Sequence, residues 1–288
     1  MPQLTNVDNG IGISPVIEMF GDSLTAGTGG TPVTTLLSWM LTPRLIKNWG
    51  IGGQTSIQIA ARQGGQPIFI TLSGNAFNGN NAVSVTSISP QPMSTASDTT
   101  ARYYSGTVSG IQCMLVRTVV STVETYTLQP LISQNTAIPA NSIFIPDQGF
   151  NAQKSIQVLW LGRNDASPWT GLDTTIANCV SKLSQPKRAI IIGVLNAQDE
   201  TIGTARYNAI AAINATIAAA FPNNYIPSTP PTAAEFAAQN WTPSSQDNTD
   251  VANGIIPASW HSDNVHLNTY GYQLFAGRIY NMMQNFGW

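Results

Sequence analysis

The chain of 288 residues changes its periodicity twice, and those two changes limit its fold more than any other feature. Toward both ends, short apolar runs alternate with helical stretches. Residues 16–20 and 45–49 are strand-like, with a helix expected over 32–44 between them and another over 56–62. The run 155–161, Ser-Ile-Gln-Val-Leu-Trp-Leu, is almost continuously apolar, as a parallel strand buried on both faces is. A helix over 172–183, a strand over 189–195, a helix over 204–221 and a short strand at Tyr225 and Ile226 follow. The last helix, over 269–286, carries Tyr272, Phe275, Ile279 and Met282 at helical spacing. Residues 1–15 read as an irregular lead-in. Residues 227–260, with Pro227, Pro230, Pro231, Pro243 and Pro257, read mostly as loop.

Between 64 and 149 the helical period disappears. Runs of β type at 67–72, 82–86, 114–120 and 122–128 are separated by Gly, Pro, Asn and Ser clusters, the pattern of a small antiparallel barrel or sandwich. An alternating βα pattern on both sides of a β-only block implies one α/β domain, residues 1–63 and 151–288, interrupted once by a β-rich insertion at 64–150. The insertion leaves the chain after one strand-end turn and returns before another. That makes it a substrate-side element; Tyr103, Tyr104 and Tyr126 are either ring faces for a substrate to stack on or, the commoner fate for any one of them, part of the insertion's own core.

Composition narrows the function. Only 9% of residues are charged and the net charge is −2, with no basic stripe, so nucleic acid is not an expected partner. A surface kept soluble by Ser, Thr, Asn, Gln and Gly suits an extracellular or particle-bound protein. Cys113 and Cys179 fit no metal or redox spacing; they are either one disulfide or two buried thiols. The first residues show neither a basic nor an apolar leader segment, and the Ala-rich run at 209–221 is too short to cross a bilayer. No membrane insertion is expected, and the sequence leaves the oligomeric state open.

Chemistry concentrates at strand ends. The first strand breaks at Gly21-Asp22-Ser23, which leaves Ser23 at the carboxyl edge of the sheet, where open α/β folds bind ligands. A serine there supplies a nucleophilic hydroxyl and, at a helix start, a free backbone N–H. The two histidines, His261 and His266, share one stretch, Trp260-His261-Ser262-Asp263-Asn264-Val265-His266. Asp263 and His266 are three residues apart, so the carboxylate can orient one imidazole nitrogen while the other takes a proton from a nucleophile. His261 has no carboxylate at a helpful spacing, which makes His266 the candidate base. Gly53 and Asn164 each follow a strand; with Ser23 they supply three donors for a developing oxyanion.

In these residues the sequence resembles the GDSL or SGNH hydrolases. FGDSLTAG is similar to that family's first block, NWGIGGQTS to its second, GRND to its third and DNVH to its last, in family order. The resemblance implies a flavodoxin-like three-layer α/β/α sandwich with a parallel sheet. It also implies Ser23 as nucleophile, His266 as base, Asp263 as its partner, and Ser23, Gly53 and Asn164 as the oxyanion hole, with no cofactor and no metal. The long β insertion departs from the minimal family fold. Similar insertions occur in carbohydrate O-acetylesterases of this family and in esterases on phage tail proteins. The implied substrate is therefore an acetylated glycan, with a lipid or thioester as the alternative ester.

Rival chemistries lack their residues. No G-x-S-x-G elbow, no G-x-G-x-x-G after the first strand and no zinc-ligand set is present. The rival from another class is a glycan-binding, adhesin-like protein on a hydrolase scaffold, and Ser23, Asp263 and His266 together argue against it.

Overall fold

The computed structural model describes residues 15–95 and 99–288, so the lead-in expected over 1–15 lies, but for Pro15, outside the described residues. The chain begins with β1 (Ile17–Gly21), α1 (Ser23–Ala26), α2 (Val33–Met40), β2 (Ile46–Gly50) and α3 (Ser56–Gln63). Six strands follow: β3 (Ile68–Leu72), β4 (Val83–Ser89), β5 (Arg102–Val108), β6 (Ile111–Val120), β7 (Val123–Pro130) and β8 (Ser142–Pro146). Then come α4 (Asp147–Asn151), β9 (Ile156–Trp160), α5 (Leu172–Ser181), β10 (Ala189–Ile192) and α6 (Ala205–Ala220). The remainder is β11 (Tyr225–Ile226), α7 (Ala233–Ala238), α8 (Ser245–Ala252) and α9 (Thr269–Phe286). The chain divides into two compact units, one of residues up to Thr55 with Ser155–Thr174 and Gln185–Trp288, the other of Ser56–Lys154 with Thr175–Ser184.

The first unit is built on a parallel sheet in the order β2-β1-β9-β10-β11, which is 2-1-3-4-5 when its own strands are counted along the chain. Ile17 lies opposite Ile46 on one side and Ile156 on the other. The three inner strands are buried along their whole length, which is why 155–161 reads as an unbroken apolar run, while β2 at the edge is only half-buried. α9 supplies much of the core. Tyr272, Phe275, Ile279 and Met283 are buried, whereas Met282, expected on this face, is only partly covered. The Phe275 ring lies 4.5 Å from that of Trp160, and truncating so buried an aromatic costs about 3–5 kcal/mol. Asn268 caps this helix, accepting from the Tyr270 amide, and Gly287 ends it in the left-handed region.

The second unit is a closed antiparallel barrel, β3-β4-β7-β6-β5-β8, which settles the choice between barrel and sandwich. Alternate residues face inward, including Ile68, Ile70 and Leu72 of β3 and Cys113 and Leu115 of β6. Cys113 and Cys179 are both free thiols whose pKa burial pushes up to about 12, so no disulfide joins them. Of the three tyrosines weighed between the insertion's core and a substrate face, Tyr126 is buried and bonded to Glu124. Tyr104 packs against the barrel core, and Tyr103 is exposed.

Three expectations need correction. Residues 227–260 are not mostly loop: α7 and α8 lie there, each opened by a capping box, Thr232 with Glu235 and Ser244 with Asp247. The helix expected over 32–44 stops at Met40, because Pro43 pushes the residue before it out of the helical region. Strands β5 and β8 had no counterpart among the expected runs.

Candidate active site

β1 delivers Ser23 to the sheet edge through a tight turn. Gly21 has no room for a side chain, since a Cβ there would come within 2.0 Å of Thr25 Oγ1 and 2.6 Å of the Trp160 carbonyl. The Asp22 carboxylate then caps α1, accepting from the Leu24 amide at 2.9 Å, and Ser23 takes the first helical position. Amides in a first turn have no intrahelical acceptor, so the Ser23 N–H is available to a ligand.

His266 arrives from the far end of the chain. The backbone bridge between His261 and Leu267 closes a tight loop, in which the Ser262 amide donates to the His266 carbonyl at 2.8 Å. Asp263 Oδ1 accepts from the amides of Val265 (2.8 Å) and His266 (2.7 Å), and Oδ2 lies 2.7 Å from His266 Nδ1. Burial works against the charge on Asp263, but the His266 amide and ring and the Val265 amide outweigh it and hold the pKa down to about 2. An ionised carboxylate only accepts, so the imidazole proton sits on Nδ1 and leaves Nε2 as an acceptor. Nε2 lies 2.8 Å from Ser23 Oγ, which places the serine hydroxyl as its donor. His261 is buried instead, with Nδ1 3.2 Å from the Pro257 carbonyl, and burial lowers its pKa.

The other two predicted residues sit in the turns after β2 and β9, the strands flanking β1. Gly53 has φ +76°, a left-handed conformation that suits glycine, and a Cβ on its neighbour Gly52 would lie 3.6 Å from that of Ser23. Asn164 is held by its amide, which donates to Asp22 Oδ2 at 3.2 Å and to the Gln54 carbonyl at 3.0 Å. Its amide thus faces two acceptors, which fix the side chain in the turn after β9. Asp22, to which the sequence pattern gives no role, is the acceptor that holds this amide. It is 1% exposed, and burial raises its pKa to about 7 against the opposing pull of the Leu24 amide, His266 and Arg163. Its position two residues before a helical amide and its apolar flank were the available signals.

Among the described residues no group of three or more His, Cys, Asp or Glu side chains is arranged to hold a metal ion. No described helix is long and apolar enough to cross a membrane.

No family model matches the chain. The chain is similar to a phage tail spike protein. The similarity, to that of Salmonella phage epsilon15, is 29% identity over 148 residues, 51% of this chain and 13% of the phage protein. Among solved structures, two mutants of an acetylxylan esterase from Geobacillus stearothermophilus match at a TM-score of 0.46 and 12% identity, covering 95% of both chains. A gut microbial diltiazem-metabolizing enzyme matches at 0.45 and 11% identity, over 94% of this chain and 47% of that one.

Proposed function

We infer that this chain is a serine ester hydrolase. The observation that carries the reading is the relay Ser23 Oγ, His266 Nε2, His266 Nδ1, Asp263 Oδ2, with contacts of 2.8 and 2.7 Å at its two joints. The strand order 2-1-3-4-5 supports a flavodoxin-like arrangement, in which ligands meet the carboxyl ends of the strands where Ser23, Gly53 and Asn164 sit.

In this reading Ser23 Oγ attacks the acyl carbonyl while His266 Nε2 takes its proton. Asp263 holds the imidazolium that forms. The carbonyl electrons move onto oxygen, which the amides of Ser23 and Gly53 meet. The Asn164 amide joins them by turning one hydrogen from Gln54 or Asp22 toward the oxyanion. Collapse expels the alcohol, which takes the proton from His266, and leaves acyl-Ser23. Water, deprotonated by His266, then releases the acid by the same steps in reverse.

The substrate we favour is an O-acetyl group on a polysaccharide. The family resemblance and the uncharged polar composition support it, and the likeness to a tail spike supports a place on a phage tail. Purified protein should release acetate from an acetylated polysaccharide and hydrolyse a small activated acetate ester. Ser23→Ala should lower both rates roughly 10⁴-fold or more with the fold intact. A variant that keeps near wild-type turnover would remove Ser23 from the mechanism.

A further inference from the structure

The turn that bears Asn164 and the turn that bears Asp263 and His266 are joined by a third piece of chain, residues 195–200, that no motif marks. Arg163, beside Asn164, donates from Nη1 to the Leu195 carbonyl at 2.9 Å and forms a two-pronged pair with Glu200, Nη1 to Oε2 at 2.7 Å and Nη2 to Oε1 at 3.0 Å. Glu200 is buried. Its Oε2 also accepts from the Ala197 amide at 2.7 Å, its Oε1 accepts from Arg206 Nε at 3.2 Å, and its amide donates to the Ala197 carbonyl at 3.1 Å. The Asn196 side chain closes the same turn onto the Glu200 carbonyl at 3.2 Å. The far side of this loop faces the Asp263 turn. The Gln198 amide donates to the Asn264 carbonyl at 2.9 Å and its Nε2 to the Asp263 carbonyl at 2.9 Å, while Asn264 Nδ2 donates to Asp199 Oδ1 at 2.9 Å.

We propose that Arg163, Glu200 and Gln198 are positioning residues, a brace that fixes the Asp263–His266 turn relative to the turn of Asn164. Neither turn lies within a helix or sheet, and the His261–Leu267 bridge closes the second turn on itself without tying it to the first. A bidentate guanidinium–carboxylate pair is geometrically exacting, and here it locates a loop whose next residues hold the backbone of Asp263 itself. A transition state that needs the oxyanion donors and the imidazole at once is sensitive to displacements of about 1 Å between them. The brace controls that distance without touching substrate.

The inference rests on the esterase reading, but its test does not depend on activity alone. His261 and His266 are the two histidines of the chain, so the ring proton on His266 Nδ1 can be followed by proton NMR with His261 as an internal reference. Gln198→Leu keeps the side-chain size and removes the donor. It should lower kcat about tenfold with KM within about twofold, and broaden or shift the His266 Nδ1 proton while the His261 signal stays in place. Gln198→Lys, which restores a donor of similar reach, should return most of the rate and the resonance. Glu200→Gln should act in the same direction more strongly if it folds; Gln198 is only half-buried, so its variants keep the test open if it does not. An unchanged kcat and an unmoved His266 proton in Gln198→Leu would overturn the proposal. So would a lowered melting temperature with both readouts intact, since the loop would then serve stability only. Full turnover by Ser23→Ala would sink the esterase reading, and the resonance would still decide the brace.

Discussion

The Asp22 carboxylate is buried between two donors, the Leu24 amide on Oδ1 and the side-chain amide of Asn164, 142 positions away, on Oδ2. Burial raises its pKa from 3.8 to about 7. The folded protein therefore binds a proton that the unfolded chain has already released above about pH 4. The stability that this proton contributes is complete below pH 4 and is lost as pH rises through about 7. Asp22→Asn cannot ionise, so the melting temperature of the variant minus that of the wild type should climb between about pH 4 and 8. Parallel melting curves across that range would show that Asp22 does not titrate there.

Between elements, the glycine loop after α1 and the turn before α9 are seated backbone on backbone. A Cβ on Gly30 would come within 2.5 Å of the Asn268 carbonyl carbon and 2.6 Å of the Thr269 nitrogen. One on Gly29, at φ +89°, would meet Ser262 Oγ at 1.8 Å. The Tyr272 hydroxyl donates to the Thr28 carbonyl at 2.7 Å and fastens the same seam. Gly30→Ala should therefore push the His266 turn away from Ser23 and lower kcat by tenfold or more. Gly277→Ala, in the open middle of α9, should leave kcat alone and stabilise the fold by about 1 kcal/mol. Equal kinetics in the two variants would mean that the seam does not set the catalytic distance. At this scale the inner strands and long helices were legible because burial writes itself as periodicity. α7 and α8 were hidden by the prolines around them and by their short length, although both capping boxes stand in the sequence. β5 was hidden by Gly106, required because a Cβ there would lie 2.5 Å from the Phe144 ring. β8 was hidden by Ile143 and Ile145, exposed apolar residues that erase the alternation. In the candidate site, Ser23, Asp263 and His266 were legible from local spacing. The engagement of Asn164 and the pairing of Arg163 with Glu200 depend on contacts between distant segments, which spacing cannot carry.

For the whole molecule, each unit has its own buried core, and the barrel closes its own hydrogen-bond ring and so presents no free strand edge. The chain passes into the barrel unit just after the Gly53 turn and returns on β9, the strand that leads to Asn164. Replacing 64–150 by a short linker should spare hydrolysis of a small acetate ester and sharply lower acetate release from an acetylated polysaccharide. Equal losses on both substrates would assign the barrel to folding of the catalytic unit, and unchanged polysaccharide activity would remove it from substrate recognition. The hydroxyl and imidazole that meet at 2.8 Å are 243 positions apart in the chain. Synthesis therefore makes Ser23 long before His266 and before α9, whose side chains form part of the core under the parallel sheet. In the esterase reading, the serine hydroxyl waits through that interval without the imidazole that takes its proton.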